Sequence, residues 1–87
     1  MSKIIVYSAQ LCSDCQYLKK WMDEQNIEYE TRDIHFNPQN GIDLEKQTGK
    51  LGVPYFKLGE DWVRAYRPGE MFSADWVETT LKSHGVL

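Results

Sequence analysis

The sequence has few cysteines, few basic residues in clusters and few long apolar runs. Only Cys12 and Cys15 are cysteines among 87 residues, and no run of Lys or Arg is longer than Lys19-Lys20. The formal net charge is −3, which argues against a nucleic-acid surface, because such a surface needs concentrated positive charge. The apolar run at residues 4–7 is too short for a signal-peptide core, and nothing approaches the ~20 apolar residues that span a bilayer. We therefore expect a cytoplasmic protein without nucleic-acid or membrane partners.

The composition is that of an ordinary soluble protein. Hydrophobic residues make up 41% of the chain and charged residues 26%, so a packed core is possible. A chain of 87 residues is long enough for one domain and too short for two. We expect residues 1–87 to form a single domain and the protein to be a monomer.

Hydrophobic spacing predicts the order βαβαββα. Strands are expected at residues 4–7, 27–33, 53–58 and 62–66, and helices at about residues 13–25, at 42–48, and after an N-cap at Ser73. The first strand, helix and second strand form a βαβ unit, whose two strands should be parallel with a right-handed crossover. The last two strands are separated by Gly59-Glu60-Asp61, which is typical of a hairpin with a three-residue loop. The fold class is therefore α/β, with a central four-stranded mixed sheet flanked by helices.

Cys12 lies where the first strand gives way to the first helix. Free backbone N–H groups and the positive end of the helix dipole stabilise a thiolate there, and such positions lower a cysteine pKa from about 8.5 to roughly 3.5–7.5. Cys15 is one turn later, on the same helix face as Leu18 and Met22. We therefore interpret Cys12 as a nucleophile and Cys15 as the less exposed thiol that resolves the mixed disulfide formed at Cys12.

The two residues between the cysteines are Ser13 and Asp14, and we expect both to support the site. In the first turn of a helix Asp14 complements the dipole, but its carboxylate also disfavours a second negative charge at Cys12. We expect a smaller depression of the Cys12 pKa than a neutral or basic insert would allow.

Two other interpretations of the cysteines remain open. They could pack as two small hydrophobic residues, since free cysteine is often buried. They could also belong to a zinc site, but the only other nitrogen or sulfur ligands are His35 and His84, which are far apart in the chain. The placement at a strand-to-helix junction favours redox use, and we expect no metal.

Pro54 is expected to open the third strand, directly after Val53. If the Val53-Pro54 bond is cis, the Val53 backbone groups are free to pair with an extended segment bound beside Cys12.

These residues together resemble the thioredoxin superfamily. The matching features are Cys12-Ser13-Asp14-Cys15 at the mouth of a first helix and Val53-Pro54 at a later strand, and that superfamily has a cis proline facing the nucleophilic cysteine. Leu11 precedes Cys12 where thioredoxins usually have Trp, and the first strand begins near Lys3, so the layout is similar to that of the smaller glutaredoxins. Leu11, Val53 and Pro54 are then expected to contact a partner.

Within glutaredoxin-like proteins the chain resembles NrdH-redoxins more closely than glutathione-dependent glutaredoxins. Ala9 stands where the latter have a basic residue, and residues 62–69 replace their Gly-Gly-Cys/Ser-Asp segment. Residues 62–69 resemble instead the Trp, aromatic, Arg-Pro run of NrdH-redoxins, which implies that Tyr66 and Arg67 shape the loop beside the active site. Lys19, four residues after Cys15, matches both groups.

The resemblance implies a dithiol–disulfide oxidoreductase with no bound cofactor. Electrons would come from NADPH through a flavoprotein, thioredoxin reductase, and would pass to a disulfide-containing protein such as ribonucleotide reductase. The alternatives are a glutaredoxin reduced by glutathione, a redox regulator of the Spx/arsenate-reductase kind, and a dimer bridged by an iron–sulfur cluster.

Overall fold

The computed structural model describes residues 4–67 and 69–87. Residues 1–3 and Pro68, which include the expected strand start near Lys3 and the proline of the Arg-Pro run, lie outside the described residues. The elements in chain order are β1 (Ile4–Ser8), α1 (Ser13–Glu24), β2 (Glu30–Asp33), α2 (Pro38–Thr48), β3 (Tyr55–Leu58), β4 (Asp61–Arg64) and α3 (Ala74–Ser83).

The four strands form one mixed sheet in the order β2-β1-β3-β4. β1 and β2 are parallel, with Val6 opposite Thr31, whereas β1 pairs antiparallel with β3 and β3 antiparallel with β4. The predicted order βαβαββα, the parallel βαβ unit and the four-stranded mixed sheet are confirmed.

Two apolar clusters cover the two faces of this sheet. The larger one joins alternate residues of β1 and β3, such as Val6 and Phe56, to Leu18 of α1 and Val77 and Leu81 of α3. The smaller one joins Tyr7 of β1 to Leu44 of α2. The molecule is therefore a three-layer sandwich, with α1 and α3 on one face of the sheet and α2 on the other.

β2 is shorter than predicted because the end of α1 uses part of the expected strand. Asn26 has a left-handed φ of 57°, and the Ile27 N–H donates to the carbonyl of Met22 at 2.9 Å. This hydrogen bond closes the C-terminus of the helix in the manner of a Schellman motif. Ile27 and Tyr29, predicted to lie in the strand, instead precede it and pack against the larger cluster.

Other predicted boundaries were wrong by a few residues. α2 begins at Pro38, four residues before the predicted start, because Asn37 is an N-cap that accepts a hydrogen bond from Gln39 N–H at 3.1 Å. The β3–β4 loop contains two residues, since Leu58 pairs directly with Asp61. β3 begins at Tyr55, after Val53 and Pro54, and β4 ends at Arg64. Within the described chain, no helix has both the length and the apolar character needed to cross a bilayer.

Candidate active site

Cys12 is the N-cap residue of α1. Its φ and ψ of −92° and 108° are extended, and its Sγ accepts a hydrogen bond from the backbone N–H of Cys15 at 3.1 Å. A sulfur in the N-cap position lies at the positive end of the helix dipole, among N–H groups that have no partner within the helix. The structure therefore places Cys12 in the environment that favours a thiolate.

Cys15 differs from Cys12 in exposure. It is fully buried, at 0% exposure, whereas Cys12 is partly exposed. The two sulfurs are joined as a disulfide, with the Cα atoms 5.2 Å apart. Of the two residues, Cys12 is therefore the more accessible to an incoming disulfide.

Val53 and Pro54 lie beside Cys12. The Cys12 Sγ is 3.9 Å from the carbonyl oxygen of Val53, and the Val53–Pro54 peptide bond is cis. Among residues 4–67 and 69–87, none accepts a hydrogen bond from the Val53 N–H. Val53 therefore has backbone groups available for an extended segment at the position where that segment would meet Cys12.

Tyr66 lies against Gly52, the residue before Val53. A Cβ atom built on Gly52 would be only 2.9 Å from the Tyr66 hydroxyl oxygen, so the tyrosine occupies the space that a side chain at residue 52 would need. The close approach to the Gly52 backbone is made by Tyr66 of the same chain. Arg67 is mostly exposed, and its Nε pairs with Glu70 Oε2 at 3.1 Å.

Asp14 connects the first turn of α1 to the segment that precedes α3. Its Oδ1 accepts a long hydrogen bond, 3.4 Å, from the backbone N–H of Phe72. Phe72 is preceded by Met71, which is 71% exposed, and Leu11 on the other side of Cys12 is 95% exposed. Ser13 is exposed as the first residue of the helix. Leu11 is therefore an exposed apolar side chain next to Cys12 in the sequence, and Met71 is another, in the segment that Asp14 contacts.

Lys19 is one of the charges that act on the pKa of Asp33. The pKa of Asp33, at the end of β2, is lowered mainly by the hydrogen bond from Phe36 N–H, against a smaller opposing effect of desolvation. The hydrogen bond from His35 N–H and the positive charges of His35 and Lys19 lower it further. The charge of Lys19 is the smallest of these contributions to the lowered pKa of Asp33.

The two histidines are not brought together with the cysteines. His84 caps α3, with Nδ1 3.7 Å from Asp61 Oδ2, and His35 lies in the loop after β2. In the described part of the chain there is no group of three or more His, Cys, Asp or Glu residues arranged to hold a metal ion.

Sequence reasoning missed one buried polar group near the site. Ser8 falls just beyond the strand predicted at residues 4–7, but it is the last residue of β1 and is fully buried. The alternation of β1 is the signal that could have found it, because Ser8 lies two residues after Val6 and therefore on the same face of the sheet.

Comparison with known proteins agrees with this geometry. A family model described as glutaredoxin matches residues 4–63, which is more than half of the chain. No curated protein sequence matches.

Solved structures match over most of the chain, at low sequence identity. A mutant of a thioredoxin-like protein has a TM-score of 0.73 at 20% identity, and the match covers 100% of both chains. A glutaredoxin from Archaeoglobus fulgidus has a TM-score of 0.67 at 15% identity, covering 94% of this chain and 85% of the other. A buckwheat glutaredoxin–glutathione complex has a TM-score of 0.65 at 20% identity, covering 98% and 81%. These similarities establish a thioredoxin-like fold.

Proposed function

The chain belongs to the glutaredoxin family, and we propose that it is a dithiol electron donor that reduces disulfides in protein substrates. The observation that carries this proposal is the arrangement of the two sulfurs: Cys12 is partly exposed at the N-terminus of α1, and Cys15 is buried one turn later within disulfide distance. The cytoplasm, where thiols are kept reduced, suits such a transient disulfide.

The proposed reaction proceeds in two exchanges. The Cys12 thiolate attacks one sulfur of a substrate disulfide, which forms a mixed disulfide and releases the first substrate thiolate. The Cys15 thiolate then attacks Cys12 Sγ, which releases the second substrate thiolate and forms the Cys12–Cys15 disulfide seen in the structure. Two electrons have passed to the substrate, and a reductase must return two electrons to the protein.

Protein substrates are favoured by the surface around Cys12. Leu11 and Met71 are exposed apolar side chains, and Val53 offers a backbone N–H to an extended segment. We propose that Leu11, Val53 and Pro54 contact the substrate while Tyr66 and Arg67 shape the adjoining loop. Ribonucleotide reductase is the proposed substrate, on the resemblance of residues 62–69 to the corresponding run of NrdH-redoxins.

Thioredoxin reductase is the proposed electron source. One feature supports it over glutathione: Ala9 is buried at the position where glutathione-dependent glutaredoxins have a basic residue. The alternative is direct reduction by glutathione, which is favoured by the similarity to the buckwheat glutaredoxin–glutathione complex.

Replacement of each cysteine tests the mechanism. In an insulin-reduction assay we expect Cys12→Ser to be inactive, because no exposed nucleophile remains. Cys15→Ser should accumulate a mixed disulfide between Cys12 and the substrate, detectable by mass spectrometry. Disulfide reduction by Cys12→Ser at the wild-type rate would contradict the proposed roles.

Two coupled assays separate the electron sources. One contains NADPH and thioredoxin reductase, and the other contains NADPH, glutathione reductase and glutathione, with Cys12→Ser as the control in both. We expect faster NADPH oxidation in the first assay, and faster oxidation in the second would favour the glutathione alternative.

A further inference from the structure

Asp14 lies where the N-termini of two helices meet. It is the second residue of α1, after the N-cap Cys12, and its Oδ1 accepts a hydrogen bond from the N–H of Phe72 at 3.4 Å. Phe72 directly precedes Ser73, the N-cap of α3. The Phe72 ring also packs against Trp21 of α1, with the ring centroids 6.5 Å apart. The start of α3 is therefore held against α1 by two contacts, and Asp14 makes the one that lies beside Cys12.

Two helix N-termini at one place attract negative charge. Each helix carries the equivalent of about half a positive charge at its N-terminus, together with N–H groups that have no partner within the helix. Phosphates and carboxylates bind at such positions in many proteins. Without a compensating group, this end of the molecule would therefore favour an anionic substrate.

The Asp14 carboxylate opposes that attraction. In the described part of the chain only its Oδ1 has a hydrogen-bond partner, and Asp14 pairs with no Lys, Arg or His side chain. Arg67, in the segment before α3, is already paired with Glu70 at 3.1 Å. Asp75 adds a second carboxylate in the first turn of α3. The negative charge of Asp14 is thus left to act on a molecule that approaches Cys12.

This charge is close enough to affect the first exchange reaction. Asp14 follows Cys12 by two residues, so their Cα atoms are at most about 7 Å apart. That separation is shorter than the Debye length of about 8 Å at physiological ionic strength. A unit charge about 8 Å from the carboxylate, in surroundings between a protein surface and bulk water, changes a rate by about threefold.

We propose that Asp14 is a specificity-determining residue, whose carboxylate favours disulfides flanked by positive charge and disfavours disulfides flanked by negative charge. This inference rests on the proposed function, since it concerns the substrate that Cys12 attacks. It narrows the substrate class to protein disulfides with a Lys or Arg side chain near the reacting cysteine. Oxidised glutathione carries a net negative charge and belongs to the disfavoured class.

Three small disulfides that differ in charge test the proposal. At neutral pH cystamine is positively charged, bis(2-hydroxyethyl) disulfide is neutral and dithiodipropionate is negatively charged. The Cys12 thiolate attacks one sulfur of the reagent and releases one reagent thiolate. Cys15 then attacks Cys12 Sγ and releases the other, so that the reagent gains the two electrons that the protein loses. The rate is followed by acid quenching, alkylation of the remaining thiols and mass spectrometry.

Asp14→Asn removes the charge and keeps an oxygen that can accept the Phe72 N–H. At about 0.01 M salt, where the Debye length is about 30 Å, the rates are expressed relative to the neutral reagent. We expect the variant to react about threefold more slowly with cystamine and about threefold faster with dithiodipropionate. A change in the reactivity of Cys12 itself affects all three reagents alike and cancels in these ratios. Lys50, whose side chain lies beside Gly52, contributes its charge equally in every variant.

Asp43→Asn is the matched control, because it removes the same charge from α2, on the opposite face of the sheet. Its ratios should equal those of the wild type, and so should those of Asp14→Glu, which keeps a carboxylate. A salt series on the wild-type protein is a second measurement. In about 1 M salt, where the Debye length is about 3 Å, the wild-type ratios should approach those of Asp14→Asn.

Unchanged ratios in folded Asp14→Asn, or an equal change in Asp43→Asn, would overturn the proposal. Should Asp14→Asn not fold, Asp14→Ser also lacks the charge and is interpreted in the same way. The reaction uses chemically reduced protein without a reductase or a protein substrate, so the proposed function fails separately. Its failure would appear as a Cys12→Ser protein that reacts with the three reagents as fast as the wild type.

Discussion

The close approach of Tyr66 to Gly52 leads to a quantitative prediction for Gly52→Ala. The new Cβ would lie 2.9 Å from the Tyr66 hydroxyl oxygen. Real Cβ atoms essentially never come within 3.0 Å of another heavy atom, so one of the two must move. The next atoms, from Lys50, are 3.9 Å and 4.0 Å away, at ordinary van der Waals distance. The obstacle is therefore one atom at the end of one side chain, and Tyr66→Phe removes it.

The magnitude follows from two opposing effects. Overpacking costs about 1–3 kcal/mol in well-packed sites, and the lower end applies here because the hydroxyl is at the end of a side chain. Gly→Ala at a compatible backbone position stabilises by about 0.4–1 kcal/mol through the unfolded state, and Gly52 has no left-handed φ. We therefore expect Gly52→Ala to lower the free energy of unfolding in the wild-type background and to leave it unchanged or raise it in the Tyr66→Phe background. The difference between the two backgrounds should be about 1 kcal/mol or more.

Urea unfolding of the four proteins measures this difference, and insulin reduction by the same proteins reports on the active-site loop. Gly52→Ala should also slow insulin reduction, because the displaced tyrosine moves the segment that contains Val53, and Tyr66→Phe should restore the rate. Gly41→Ala is the matched control, since its Cβ would meet Leu51 and Ile34 at 3.5–3.6 Å and should show no coupling to Tyr66. If Gly52→Ala costs the same in both backgrounds, Tyr66 does not pack on Gly52 as described.

Three further predictions concern the fold that holds the site. Phe56→Ala should lower the free energy of unfolding by about 3–5 kcal/mol, because the side chain is fully buried in the larger cluster. Phe36→Ala, at an 85% exposed position, should change it by less than about 0.5 kcal/mol. Equal effects of the two substitutions in urea unfolding would be inconsistent with the core described here. Asn37→Ala should lower the free energy of unfolding by about 1 kcal/mol, since the N-cap of α2 loses its acceptor for Gln39 N–H. Asn37→Ser keeps an acceptor and should retain most of that stability. An alanine substitution without effect on stability would argue against the early start of the helix. Asp33→Asn should destabilise the protein at pH 7 but progressively less in acid. The pKa of Asp33 in the folded protein is below its ordinary value of 3.8, so the ionised carboxylate stabilises the fold fully above pH 3.8. This stabilisation is lost as the pH falls through the folded-state pKa. Urea midpoints of both proteins across the acid range measure that dependence, and a constant difference would show that the charge of Asp33 is not involved.

Local patterns along the chain were sufficient to predict the elements around the cysteines. The β-branched run of β1, the apolar spacing of α1 and the position of Cys12 between them predict an N-capping sulfur and a buried partner at Cys15, and both are found. The resemblance in the sequence also identified the glutaredoxin family. These features are encoded within a few consecutive residues, so no tertiary information is needed to find them.

Contacts between distant segments could not be predicted in the same way. The hydrogen bond from Phe72 N–H to Asp14 and the packing of Tyr66 on Gly52 depend on how loops fold back over the sheet. The starts of β2 and α2 were misjudged. The Ile27 N–H bonds to the Met22 carbonyl and closes α1 instead of entering the strand, and α2 begins at its Asn37 cap, a residue type that is also common in simple turns. The burial of Ser8 was missed because the predicted strand ended at Tyr7, although alternation along β1 places Ser8 on the same face as Val6.

The proposed function depends most directly on the difference in reactivity between the Cys12 and Cys15 thiols. The reduced protein is treated with less than one equivalent of iodoacetamide at several pH values, and the modified peptide is identified by mass spectrometry. We expect modification at Cys12, with a midpoint below the ordinary thiol pKa of about 8.5 because of its N-cap position, and almost none at Cys15. Preferential modification of Cys15, or a Cys12 that reacts only above that ordinary pKa, would contradict the central claim.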